Sequence, residues 1–209
     1  MQECTYAFGI TSVAAFVATA KIFEGIGTSA YLGAARQIMN KDYLTAAGSI
    51  LTVEARHTAY LRASLSLPPY PQSQDDPLTP DEVYTMASSF FVSCPSGNPT
   101  FGVKAFPQLH ISTAGTISAG QLISFSTTNT VLKAADPNAH LYAAFVTAAG
   151  PQWAVLTQQG DGMNFQVTVP SGVNGQSYLL LNDCNTTFTD ATVVAGPTFM
   201  EVSSSSITS

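Results

Sequence analysis

Three side chains in the first third of the sequence have the types and spacing to hold a divalent metal: Glu24, Glu54 and His57. Glu54 and His57 stand three apart, which on a helix puts a carboxylate and an imidazole on one face. Between Thr11 and Leu65 the only other acid is Asp42. Read as two helices joined by a tight turn near Asn40, this stretch places Asp42 at the turn, where it would cap the second helix. The other two acids take positions that an amphipathic helix reserves for apolar residues. On the second helix Leu44, Ala47, Leu51, Glu54, Thr58, Leu61 and Leu65 form one three-four stripe. On the first, Val17, Ala20, Glu24, Gly27, Tyr31, Ala34 and Ile38 do the same. Each carboxylate is therefore predicted to point into the seam between the helices.

The elements that must position these groups agree in height. Folding the pair back at Asn40 puts Glu24 roughly 24 Å from the turn, Glu54 roughly 21 Å and His57 roughly 25 Å, at about 1.5 Å of rise per residue. Two ionised acids in an apolar seam are costly unless something positive compensates them. A divalent metal does so directly. The competing reading pairs the acids with Arg36, Arg56 or Arg62 and leaves His57 as a hydrogen-bonded imidazole. In carboxylate-bridged dimetal bundles, two helices each give one Glu and two others each give Glu-x-x-His, all inward. This sequence offers one of each, half of such a site, and two copies about a twofold axis would complete it. Iron or manganese suits that donor set. Gly25, Gly27 and Gly33 cost the first helix roughly 1 kcal/mol each against Ala. They are explained either by room for the site or, more simply, by close packing.

Composition bounds the rest. The chain has 209 residues, 45% hydrophobic and only 10% charged, which favours folded cores over disorder. A net charge of -6 without any basic run speaks against nucleic acid or an anionic membrane as partner. Ile10 to Ala35 is long and apolar, but Lys21 and Glu24 near its centre favour a buried bundle helix over a transmembrane span. Cys4, Cys94 and Cys184 are too few for a disulfide scaffold and fit no zinc spacing. Cys4 with Cys94 is the first pairing to expect, since both flank the helical half. Asn185-Thr186-Thr187 is a glycosylation sequon. Few lysines and many Ser and Thr lean toward a secreted or wall-associated protein. Met1-Gln2-Glu3 before Cys4 is too short for a signal peptide, so the sequence reads as a mature or shortened form.

In chain order, the helical hairpin is expected over 1–66, with helices near Thr11–Met39 and from Lys41 to about Ser66. A Pro-rich connector spans 67–106. Within it Thr79-Pro80-Asp81-Glu82 marks a capped helix start, predicting a short structural helix over 80–91 with exposed acids. From 107 to 203 the period changes to two. Seven short strands are predicted: Leu109–Thr113, Leu122–Ser126, Leu141–Thr147, Trp153–Thr157, Phe165–Val169, Tyr178–Leu181 and Thr198–Val202. Turns such as Asp136-Pro137-Asn138 and Gly160-Asp161-Gly162 separate them. That pattern predicts an immunoglobulin-like β-sandwich, with Trp153 in its core and Tyr178 as a tyrosine corner. Residues 204–209 read as a tail. The fold class is therefore α+β multi-domain: half of a four-helix bundle, then a sandwich. His110 and His140 lie apart from any cluster of acids and read as surface or core histidines, and Asp136, Asp161 and Asp183 occupy turns where Asp bonds the backbone. No loop has calcium-ligand spacing, and there is no phosphate loop or nucleophile elbow.

Residues Phe23–Ala35 resemble the third helix of the ferritin-like domain in fungal Rds-type stress-response and late-sexual-development proteins. Leu44–His57 is similar to the fourth. Plant desiccation-related proteins are more distantly similar. The likeness continues through Phe91-Val92-Ser93-Cys94-Pro95 and Ala195-Gly196-Pro197. It implies Glu24, Glu54 and His57 as metal ligands, a secreted or wall-associated location, and an upstream helix pair with its own Glu and Glu-x-x-His that this sequence does not contain. Two functions follow as expectations. One is a dimetal protein handling oxygen or peroxide, completed by self-association through the hairpin or by that upstream pair. The other is a non-catalytic surface protein whose hairpin assembles and whose sandwich binds wall glycan or a partner protein.

Overall fold

The computed structural model describes residues 2–136 and 139–203. The expected turn at Pro137 and Asn138 and the tail over 204–209 fall outside them. The chain is α+β and divides into two compact units, Met1–Pro69 with Leu78–Ala105, and Tyr70–Pro77 with Phe106–Ser209.

The first unit is built on α1 (Val13–Ala34) and α2 (Lys41–Ser64), joined through a 3-10 turn at Ala35–Gln37. Ser12 caps α1, its Oγ accepting from Ala15 N at 3.1 Å. The cap of α2 is Asn40, whose Oδ1 accepts from Asp42 N and Tyr43 N, and Asp42 sits in the first turn instead. That correction follows from geometry: the extended residue immediately before the helix caps it. α3 (Pro80–Ser88) opens on a complete capping box, Thr79 and Glu82 each bonding the other's backbone N–H. Glu82 is not exposed as expected but 1% accessible. β1 (Thr5–Tyr6) pairs antiparallel with β2 (Phe91–Ser93), and Cys4 is disulfide-bonded to Cys94 beside that pair. Rings of Tyr6, Phe8, Phe23, Phe90 and Phe91 pack on one another there, with centroids 4.8 to 5.8 Å apart.

On α2 the stripe predicted to face α1 is half-buried or buried throughout, from Leu44 to Leu65. On α1 the corresponding stripe is only half-buried. The most buried positions there are Lys21, Gly25, Ile26, Thr28, Ser29 and Gly33. α1 packs on two neighbours, α2 and the segment entering α3. Leu78 N donates to Ser29 O, and a Cβ at Gly33 would lie 1.9 Å from Leu78 O. Gly33 is thus a backbone-crossing glycine. Val13–Gln37 is long and apolar enough, by length and composition, to cross a membrane.

The second unit is a curled eight-stranded sheet. Its strands are β3 (Leu109–Ile111), β4 (Ile117–Ser118), β5 (Leu122–Thr127), β6 (Tyr142–Phe145), β7 (Gln152–Gln158), β8 (Asn164–Thr168), β9 (Gly175–Asn182) and β10 (Val193–Ser203). They run in the order β3-β5-β8-β7-β6-β9-β10-β4, antiparallel except for β10 with β4. β7 pairs along its first half with β6 and along its second with β8, so it carries the sheet around the core. That core holds Ile123, Phe125, Phe145, Phe165, Val167, Leu179 and Leu181, each at most 1% exposed. Such burial is worth roughly 2 kcal/mol per large side chain. Trp153 is a correction. Alternation along β7 turns Ala154 and Leu156 toward the core, so Trp153 faces the other way and meets Phe188 edge-on. Gly196 takes φ +90 where β10 shifts register against β9, and a Cβ there would approach Leu179 O to 2.8 Å.

Candidate metal centre

Glu24 reaches the seam from the middle of α1, and Glu54 and His57 reach it from α2. Their ligand atoms, one from each residue, all lie within 4.8 Å of one another. Glu24 Oε2 is 3.1 Å from His57 Nδ1. The glutamates are half-buried, while the His57 side chain is 56% exposed. The cluster is therefore rooted in the seam and opens outward through the imidazole.

Electrostatics at this point are unfavourable for two free anions. A hydrogen bond with the Glu24 carboxyl, then desolvation, then the Glu24 charge push the Glu54 carboxyl up to about 7, against a lowering pull from His57. The Glu54 carboxyl is thus held in its protonated form up to near neutral pH by these causes. No arginine is ion-paired with either glutamate among the described residues. Arg62, one candidate partner, is buried, and its Nε donates to Pro68 O at 2.7 Å.

Gly27 completes the site. A Cβ built there would lie 3.1 Å from Glu54 Oε2 and 3.2 Å from its Cδ, so the missing side chain leaves the space that the carboxylate fills. Of the three glycines on α1, Gly33 serves close packing and Gly27 serves the carboxylate. Glu24 on the same stripe, one turn before Gly27, was the available signal. The residues fit a divalent cation: two carboxylates and a ring nitrogen converge, and a cation would compensate the negative charge that desolvation and the neighbouring carboxylate make costly on Glu54.

Residues 1–67 match the Ferritin-like domain family. No curated protein matches the chain. The ferritin-like segment contains all of α1 and α2 and all three converging side chains. Its helix pair with one Glu facing a Glu-x-x-His is the arrangement that dimetal helical bundles use twice.

The remaining sequence candidates lie elsewhere. Cys4 and Cys94 form the disulfide described above, and Cys184 carries a free thiol. Asn185 is exposed in the loop between β9 and β10. His110 and His140 are exposed. Asp161 uses its Oδ1 on Met163 N and Asn164 N, the turn role assigned to it. Asp76 carried no sequence signal, yet it is 5% exposed, with Gln72 Nε2 donating to Oδ2 at 3.1 Å.

Proposed function

We propose that the ferritin-like helix pair is one half of a carboxylate- and imidazole-bound metal centre, with Glu24, Glu54 and His57 as its ligands. Iron or manganese fits this mixed oxygen and nitrogen donor set. When bound, such a metal supplies one-electron and Lewis-acid chemistry toward oxygen or peroxide. The chain's own residues do the rest. Glu24 orients His57 through Nδ1, Glu54 gives up its proton, and Gly27 keeps the space beside Glu54 clear. The convergence of three donor side chains on a ferritin-like helix pair is the observation that carries this reading.

A secreted, stress or developmental protein of the fungal Rds type is the setting we favour, on the resemblance of Phe23–Ala35 and Leu44–His57. The disulfide between Cys4 and Cys94 supports an oxidising compartment, and exposed Asn185 would be open to glycosylation. We read the second unit as an immunoglobulin-like sandwich. The ladder β3-β5-β8, the ladder β6-β9-β10, and the parallel β4–β10 pair support it. The alternative, a non-catalytic assembly protein that binds wall glycan, is favoured by exposed Tyr43, Ile50 and Tyr60 on α2.

Titrating the metal-stripped chain with Mn2+ and following free Mn2+ by electron paramagnetic resonance tests the metal reading. Saturable loss of the free-ion signal, weakened at least about tenfold in Glu24→Gln, is expected. A signal unaffected by the protein would leave the assembly reading alone.

A further inference from the structure

We propose that residues 70–77 form a pH-gated strap on the second unit, clipped to the β6–β7 turn in acid and let go toward neutral pH, with the Asp76 carboxyl as its catch.

Tyr70–Pro77 groups with the second unit, although the residues on either side, Pro69 and Leu78, group with the first. The strap has no helix or strand of its own, so side-chain contacts must hold it in place. Asp76, 5% exposed, is the single buried residue within it. Its one aromatic ring, Tyr70, is exposed. A strap anchored by leucine or phenylalanine would dock equally well at any pH. This one is anchored by an acid.

The catch consists of neutral donors. Gln72 Nε2 donates to Asp76 Oδ2 at 3.1 Å, and the backbone N–H of Ala148 faces the same carboxyl as a second donor. Ala148 stands in the β6–β7 turn, where Gly150 N donates to Thr147 O and Thr147 Oγ1 to Gly150 O. Residues 146–152 carry no titratable side chain. On the strap itself the titratable neighbours are Tyr70 and Asp75, and the Asp75 charge opposes a second negative charge beside it. Among the described residues no cation acts on Asp76. Two neutral hydrogen bonds do not offset the desolvation of a carboxylate, so the neutral acid is the form that buries well. The carboxyl is accordingly raised to about 6. Below the ordinary value near 3.8 it is neutral whether the strap is docked or free. As pH rises through about 6 the docked strap must carry a buried charge, which a released strap carries in water. Docking therefore weakens from acid to neutral pH. Release is local, and it turns a proline-rich segment into a semi-rigid tether.

Nuclear magnetic resonance of the 15N-labelled full chain at pH 4.5 and 7.0 tests this. Backbone order parameters of Gln72–Asp76 should be those of a rigid segment, about 0.85, in acid and fall below about 0.6 at neutral pH. The Ala148 amide, corrected for the intrinsic pH dependence of exchange, should lose about tenfold or more in protection, while β9 amides remain better protected than Ala148. Asp76→Asn keeps the acceptor without the charge and should hold the strap rigid at both pH values. Wild-type order parameters that are equal at the two pH values would overturn the proposal, whether or not the variant folds. An undiminished fall in Asp76→Asn would assign the change to another group and overturn it too. Protection over β9 dropping to the level of Ala148 at pH 7.0 would make the whole unit the element that opens, which is equally fatal to it.

Discussion

Gly27 on α1 stands so close to Glu54 on α2 that a methyl group at position 27 would lie 3.1 Å from Oε2. The absence of a side chain on one helix sets the place of a carboxylate on the other. Gly27→Ala should therefore separate two effects. Replacing a mid-helix glycine contributes up to about 1 kcal/mol of helix propensity, and the end of a flexible Glu can give way by a few tenths of an ångström. Thermal stability should hold or rise, while displacement of Glu54 weakens Mn2+ binding about tenfold or more. Parallel melts and Mn2+ titrations of wild type and variant check this. Unchanged Mn2+ affinity would show that Gly27 does not shape the site.

Glu54 also sets the pH dependence of metal binding. Its carboxyl, raised from 4.5 to about 7 chiefly by the hydrogen bond with Glu24, is protonated below that value and must lose the proton to ligate. Metal affinity should fall as pH drops through 7, by up to about tenfold per unit for one displaced proton. Calorimetry at pH 6.5 in buffers of different ionisation enthalpy should report proton release on Mn2+ binding. No release would mean that Glu54 stays outside the ligand set.

Asp76 makes the second unit sensitive to pH in a definite direction. Desolvation pushes its carboxyl from 3.8 up to about 6, against the hydrogen bond from Gln72. The folded state then binds the proton more tightly than the unfolded one. This contribution to stability is complete below about 3.8 and lost as pH rises through about 6, a penalty on the order of 3 kcal/mol at neutral pH. Asp76→Asn should remove that slope. Urea melts at pH 4 to 7, read through the single tryptophan, Trp153, which lies in this unit, measure the difference between wild type and variant. Parallel pH profiles for the two would contradict it.

What could be read in the sequence depended on how many neighbours each element has. α2 meets one main neighbour along its inner face, so Leu44 to Leu65 showed a single stripe, and the height of Glu54 against Glu24 followed from rise per residue. α1 is pressed from two sides, and two of its most buried residues, Ser29 and Gly33, meet the backbone of Leu78 at the entry to α3. Nothing local announces that. β1, β2 and β4 are two or three residues long, too short for any period to appear. Trp153 was misplaced because size favours burial on average, whereas strand alternation decides the face. Glu82 shows the reverse: its capping role was legible from Thr79, but its burial depends on packing distant in sequence.

The central claim is that Glu24, Glu54 and His57 hold a metal rather than a proton. The most direct measurement is elemental analysis of the purified chain after loading with iron or manganese and desalting, beside Glu54→Ala shown to be equally folded. The account predicts about one metal ion per chain in the wild type and nearly none in the variant. A wild type that retains no metal, or a variant that retains as much, would contradict it.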